Sequence, residues 1–155
     1  MEKYKISIAC IIECSEKFLM VKEEQNGKIS WDIPAGGIEL HETLDEAVLR
    51  EVNEETSISV TNPELKAILL FQESQRTTTN FVYYVKLMSM DSTELHALDS
   101  DIIQVKWFTK SEILAMINSH KYEHEMAKKR LLFILEGFSE PLSVINIYKD
   151  LNNAA

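Results

Sequence analysis

The stretch Gly36–Ile58, GGIELHETLDEAVLREVNEETSI, decides the fold, because it joins a glycine loop to a predicted helix with a dense set of carboxylates. Leu44, Ala47, Val48 and Val52 fall near the i, i+3, i+4 and i+8 positions of one helical face and leave Glu51, Glu54 and Glu55 together elsewhere. Side chains at i, i+3 and i+4 sit roughly 5–6 Å apart at Cβ, and like charges at i, i+4 repel by about 0.2–0.5 kcal/mol in an isolated helix. A hard cation would favour holding them together: Mg²⁺ or Mn²⁺ takes oxygen ligands and bridges protein carboxylates to substrate phosphates. Arg50 is placed to pair with Glu54 at i+4, or to turn toward an adjacent loop and orient a carboxylate through a bidentate contact. Taken alone, the triplet is better explained as a solvated acidic helix face, the usual reading of a glutamate run.

The flanking residues separate the two readings. Pro34, Gly36, Ile38, Glu39 and Glu42, followed by Arg50-Glu51-Val52-x-Glu54-Glu55, resemble the Nudix hydrolase signature at its fixed spacing. The resemblance implies an α/β/α sandwich with a mixed sheet, and a loop–helix–loop whose glutamates bind the metals that activate water against a phosphate or pyrophosphate bond. On this sequence the implied metal set is Glu51, Glu54 and Glu55 with the Gly36 carbonyl, and the cofactor is Mg²⁺ or Mn²⁺. The chain departs from the pattern at His41 and Ser57, where glycine is usual, and at Ala35 before Gly36; none of these removes a carboxylate. A serine at position 57 lacks glycine's easy access to positive φ, so the helix end is expected to differ in shape or to be less stable. His41 is expected to be an exposed loop residue, with substrate contact as the alternative.

A looser resemblance covers roughly residues 4–118. Trp31-x-x-Pro-Ala-Gly36, Asp99-Ser100-Asp101, Trp107 and Glu112-Ile113-Leu114 look like a bacterial phosphatase-type Nudix subgroup. That implies release of orthophosphate from nucleoside di- or triphosphates, or from thiamin pyrophosphate or its pyrimidine precursor. The alternatives are a nucleotide-sugar or dinucleotide pyrophosphatase and a non-catalytic Nudix ligand-binding module, since other loops than the signature choose the substrate. The expected chemistry is in-line attack of water on phosphorus with a carboxylate as base. Glu51 and Glu54 are the candidates within the signature, with Arg50 beside them; Asp101 is the outside candidate and Asp99 its competitor, both aspartates reading equally well as turn formers. Candidate substrate contacts are Trp31, Glu39, Lys22 and Phe81, Trp31 fitting core packing as readily as stacking.

Length and charge agree with this picture. The 155 residues suit one domain, 1–155, and the net charge of −9 disfavours a nucleic-acid polymer as partner. A small phosphorylated molecule is the expected partner, with local cations offsetting the like charge, and the protein is expected to be a monomer or homodimer. The N-terminus, MEKYKISIACIIEC, lacks the parts of a secretory signal, and no apolar run is long enough for a bilayer, so a cytoplasmic protein without a membrane partner is expected. Cys10 and Cys14 lie four residues apart on a predicted strand, too far for a disulfide, and the Cys10/Cys14 and His120/His124 pairs lack zinc-finger spacing.

Along the chain, Ile6–Ile12 and Phe18–Val21 read as a hairpin turning at Ser15-Glu16, and Asn26-Gly27 marks the next turn. Leu65–Phe71 and Asn80–Leu87 read as strands joined by the polar segment Gln72–Thr79, and Val105–Thr109 as a short strand. Helices are expected over Ser111–Ile117, with Ser111 as N-cap, and over Tyr122–Leu135, with Met126, Leu131, Leu132, Phe133 and Leu135 on its apolar side. The tail Asn152–Ala155 is expected to fray.

Overall fold

The computed structural model describes residues 3–25, 27–90, 95–119, 125–142 and 144–148. The apolar N-terminal run forms β1 (Lys3–Cys14), and Ser15 and Glu16, with φ of 49° and 61°, turn the chain tightly into β2 (Lys17–Gln25). Positive φ at both central residues matches the twist of the flanking strands. Then follow β3 (Lys28–Asp32), β4 (Ala35–Gly37), α1 (Leu44–Thr56), β5 (Glu64–Gln72), β6 (Arg76–Lys86), β7 (Ile102–Thr109), α2 (Lys110–Ser119), α3 (Glu125–Glu136) and β8 (Val144–Tyr148).

The sheet runs β3-β2-β1-β6-β5-β8, with β4 paired to β1 and β7 to β2. It is mixed: β1–β6 and β5–β8 are parallel and the other pairs antiparallel. The registered pairs of β1 and β2 are Glu13↔Phe18 and Cys14↔Lys17, beside the turn. Beyond these, β2 takes β3 and β7 as neighbours, while β1 takes β6 and the short β4. The chain leaving β3 therefore lies along β1, where the Cys10 N–H donates to the Pro34 carbonyl at 2.9 Å and Ile8 pairs with Gly36.

Alternation along β1 builds two cores. Ile8, Cys10 and Ile12 pack with Leu19, Tyr83 and the Ala47, Val48 and Val52 stripe of α1. Ala9 and Ile11 face the opposite way, toward Ile113 and Met116 of α2 and Leu131, Phe133 and Ile134 of α3. Helices thus cover both faces, giving the expected α/β/α layering on a mixed sheet. Cys10 and Cys14 are buried free thiols. No helix among the described residues is long and apolar enough to cross a membrane.

Several boundaries differ from the sequence expectation. Gly36 lies on a short strand, not in a loop, because β1 supplies backbone partners for residues 34–37. The Gln72–Thr79 connection is shorter than expected: Arg76–Thr79 continue β6, since the threonines are β-branched and pair with both β1 and β5. Ser111 is not the cap of α2; Thr109 is, its hydroxyl accepting the Glu112 N–H at 3.2 Å while Glu112 accepts the Thr109 N–H at 3.3 Å. Strands β3, β4 and β8 went unforeseen, as their sequences are short and weakly alternating. In α3 the buried stripe is Ala127, Arg130, Leu131, Phe133 and Ile134. Asn26, His120, Tyr122, His124 and Asn152–Ala155 lie outside the described residues.

Both ends of α1 are fixed locally. Thr43 and Glu46 form a reciprocal capping box, with Glu46 N–H to Thr43 Oγ1 at 3.2 Å and Thr43 N–H to Glu46 Oε2 at 3.3 Å. Ser57 adopts the left-handed conformation at φ 65°, its N–H donating to the Asn53 carbonyl at 2.8 Å, so the helix end keeps the shape a glycine would give. The Ser57 hydroxyl also donates to the His96 carbonyl at 2.6 Å. Replacing Thr43 by Ala removes one half of the capping box and should lower stability by about 1 kcal/mol in urea denaturation. An unchanged midpoint would show that packing alone holds the start of α1.

Candidate active site

The three glutamates of α1 have different surroundings. A Cβ added at Gly36 would lie 2.3 Å from the Glu51 carboxyl carbon, so only a residue without a side chain allows this approach. Glu55 is 3% exposed, and its Oε2 accepts the Ala35 N–H at 3.3 Å. Glu54 is the most exposed of the three and lies 3.3 Å from Arg50 Nη1. Strand β4 is thus the surface against which α1 sets Glu51 and Glu55.

Arg50 ties the helix to the loop before it. Its Nε and Nη2 donate to the two oxygens of Glu42 at 2.7 and 2.9 Å, Nη2 also to the Gly37 carbonyl at 3.0 Å, and Nη1 to Glu51 at 2.7 Å and Glu54 at 3.3 Å. Both roles open to Arg50 from the sequence are realised, because a planar guanidinium has five donors in a fixed fork. The Glu42 carboxyl is held down at about 2, first by its hydrogen bond from Arg50 and then by the Glu39 N–H, 3.0 Å away.

Deeper in the site the balance reverses. Burial pushes the Glu55 carboxyl up to about 10, and the negative charges of Glu23 and Glu51 push the same way. Glu51 is raised chiefly by burial, against the pull of Arg50. Glu23, near the end of β2, is raised to about 7 by burial and by Asp32, Asp99 and Asp101, while Arg130 opposes. Among the described residues no three or more His, Cys, Asp or Glu side chains stand close enough together to hold a metal ion as they are placed. The donor set is nevertheless of the kind a hard divalent cation takes: carboxylate and carbonyl oxygens, with burial and mutual repulsion raising the Glu51 and Glu55 carboxyls.

The loop before β7 reaches this region through its backbone. Leu98 and Asp99 N–H groups both donate to the Glu54 carbonyl, at 2.7 and 3.2 Å, and the Glu24 N–H donates to the Asp101 carbonyl at 3.3 Å. Asp99 Oδ1 accepts the Asp101 N–H at 2.9 Å, the turn-forming role. Asp99 also raises Glu51 and Glu23 electrostatically, and Asp101 raises Glu23, so both aspartates belong to the acidic neighbourhood.

The structure gathers Glu51, Glu54, Glu55, Arg50, Gly36, Asp99 and Asp101 around one end of α1. Glu39 is exposed on the preceding loop, 3.7 Å from Arg50 Nε. Lys22 and Trp31 pair across β2 and β3, the ammonium 5.8 Å from the indole ring, and Trp31 meets Phe108 edge-on at 4.9 Å beside the core under α2 and α3. Phe81 packs on the opposite side, against the core under α1, so the structure does not bring Phe81 and Trp31 together. His41 is exposed with φ 67°.

Glu23, Asp32 and Arg130 escaped the sequence reading. Leu19, Val21 and Glu23 share one strand face, but Phe18 and Met20 on the other are buried as well, so alternation did not single out Glu23. Ala127, Arg130, Leu131 and Ile134 repeat at i, i+3, i+4 and i+7, an arginine inside an apolar stripe. For Asp32 there was no comparable signal.

Comparison with known proteins adds four findings. The NUDIX domain family matches residues 3–130. Phosphatase NudJ of Escherichia coli strain K12 is 36% identical over 119 residues, covering 76% of this chain and 76% of that protein. A NUDIX hydrolase from Nitrosomonas europaea superposes with a TM-score of 0.72 at 27% identity, covering 86% of this chain and 90% of that one. A Francisella tularensis bifunctional NMN adenylyltransferase/ADP ribose pyrophosphatase, complexed with AMP and a Mn ion, has a TM-score of 0.69 at 24% identity, covering 85% of this chain and 42% of that one, a likeness of fold alone.

A pH dependence follows from Glu55. With its carboxyl pushed up to about 10 in the fold and near 4.5 when free, the folded state holds the extra proton between those values. That stabilisation is complete below about pH 4.5 and fades as pH rises toward 10. In chelator, Glu55→Gln should therefore match the wild type near pH 5 and become progressively the more stable of the two up to pH 9 in urea denaturation. A stability difference independent of pH would place the Glu55 carboxyl in a solvated setting.

Proposed function

The chain belongs to the Nudix family and is a hydrolase, and from that premise we propose that it removes orthophosphate from a small organic di- or triphosphate, a nucleotide or a thiamin-pyrophosphate-like compound, through one catalytic domain spanning 1–155. The observation that carries the reading is the contact of Glu51 with Gly36, which sets the buried carboxylates of α1 and the backbone of β4 around one position. The 36% identity to a phosphatase supports orthophosphate as product, and the Mn ion of the Francisella tularensis protein supports a divalent metal.

In this reading Glu51, Glu54 and Glu55, with the Gly36 carbonyl, hold Mg²⁺ or Mn²⁺. The cation, when bound, polarises the phosphate and offsets the charge that develops on the leaving oxygen. Arg50 keeps Glu51 and Glu54 in register with the loop through Glu42 and Gly37. Water attacks phosphorus in line, the bond to the bridging oxygen breaks, and a carboxylate takes the proton of the water. Glu51 is assigned that task by its place, one oxygen held by Arg50 at 2.7 Å and the carboxyl set against Gly36. Asp99 and Asp101 are the next candidates, carried in by the loop docked on the Glu54 carbonyl. Lys22 and Trp31, paired across β2 and β3, are assigned contacts with the organic part of the substrate, and Glu39, exposed 3.7 Å from Arg50, a further contact.

Gly36→Ala tests the central contact. The added methyl meets the end of a flexible side chain, so the fold should survive while Glu51 is displaced. The expected result is a thermal midpoint within a few degrees of wild type and a kcat lower by about 10²-fold. Wild-type kcat would remove Glu51 from the mechanism.

The bond cleaved is tested by phosphorus NMR in ¹⁸O-water with Mg²⁺, using nucleoside tri- and diphosphates and thiamin pyrophosphate. Orthophosphate should carry the label and the organic product should not; activity should vanish in chelator. Pyrophosphate from triphosphates, or turnover confined to nucleotide sugars, would overturn the assignment of the terminal phosphorus.

A further inference from the structure

Arg130 is an arginine on the buried stripe of α3, 5% exposed and flanked by Ala127, Leu131 and Ile134. Its Nε lies 3.4 Å from Asp32 Oδ1, its Nη2 donates to Asp32 Oδ2, and its Nη1 donates to Asn80 Oδ1 at 3.3 Å. Asn80, fully buried on β6, passes the contact to the Ser7 hydroxyl of β1 at 2.8 Å. One guanidinium thus joins α3 to three strands.

The apolar neighbours of Arg130 already dock α3, and a buried ion pair is often no more stabilising than apolar residues of similar volume. Its other end points to a further role. Asp32 Oδ1 also accepts the Ile33 N–H at 2.7 Å, which fixes the start of the turn between β3 and β4. The Pro34 carbonyl is next held by Cys10, and then come the Ala35 N–H on Glu55 and Gly36 against Glu51. A continuous series of contacts therefore runs from α3 to the glutamates, entering from the side opposite Arg50.

We propose that Arg130 is a positioning residue for the glutamate site: acting through Asp32, it fixes the path of residues 33–37 and so sets Ala35 and Gly36 against Glu55 and Glu51. The importance assigned to those glutamates rests on the proposed function; the path from Arg130 to Ala35 does not. The planar fork meets both Asp32 oxygens and Asn80 together, which a lysine ammonium at the same position does not reproduce. Charge alone is therefore insufficient.

The test compares Arg130→Lys and Asp32→Asn with Leu131→Val, a change on the same buried stripe that loosens packing without touching Asp32. Each full-length protein is examined for the Ala35 amide resonance in metal-free ¹⁵N-labelled samples, for Mn²⁺ affinity by electron paramagnetic resonance, and for kcat and KM with Mg²⁺. Arg130→Lys and Asp32→Asn should shift the Ala35 resonance, weaken Mn²⁺ binding and lower kcat by about 10- to 100-fold, with KM within about twofold. Leu131→Val should lose stability and leave all three unchanged. An unmoved Ala35 resonance with wild-type Mn²⁺ affinity in Arg130→Lys would overturn the proposal, as would the same losses in Leu131→Val. If neither Arg130→Lys nor Asp32→Asn folds while Leu131→Val does, the pair is structural and the proposal fails. Absence of Mg²⁺-dependent hydrolysis in the wild type would overturn the proposed function instead, leaving the Ala35 resonance to judge the path.

Discussion

The cost of holding carboxylates away from water on one turn of α1 shapes the polar structure around them. Glu51 and Glu55 are both buried, and each is raised by burial before any neighbour acts. Arg50 meets part of that cost from the loop side, where it touches Glu51, Glu54, Glu42 and Gly37. On the sheet side Glu55 receives one backbone N–H, from Ala35. The remaining imbalance gives the chemistry of the site a preferred sign: it favours a cation or a proton.

The geometry that makes this possible is the early parting of β1 and β2. Paired beside their turn, they diverge to different neighbours, and residues 34–37 lie along β1 in place of β2. A strand of three residues would be marginal by itself, but here the backbone of β1 holds it and Arg130 steadies its approach through Asp32. Its glycine then admits the Glu51 carboxyl to a position that any side chain would fill. Strand pairing, a buried ion pair and one missing Cβ thus act on the same few atoms.

The two arginines have contrasting settings. Arg50 works near the rim of the site and holds carboxylate side chains together with the Gly37 carbonyl. Arg130 works in the interior and holds backbone through Asp32, so its effect is on shape. For an acidic chain of net charge −9, this places scarce positive charge where it organises the site without neutralising it.

The sequence by itself determined the parts set by local spacing. The apolar stripe of Ala47, Val48 and Val52 fixed the buried face of α1, and the i, i+3, i+4 spacing fixed which glutamates share a turn; the Thr43–Glu46 capping box is as local but went unread until the structure showed it. Gly36 and Arg50 were legible as site residues because their signature has fixed spacing from Gly36 to Glu55. Tertiary structure alone decided that residues 34–37 become a strand, that Glu23 and Asp32 join the acidic neighbourhood from β2 and β3, and that Phe81 faces the core away from Trp31. Arg130, almost a hundred residues from Asp32, was beyond reach for the same reason. Periodicity reports which face of an element is buried; which distant polar group waits there depends on how the elements cross, and only the folded chain specifies that.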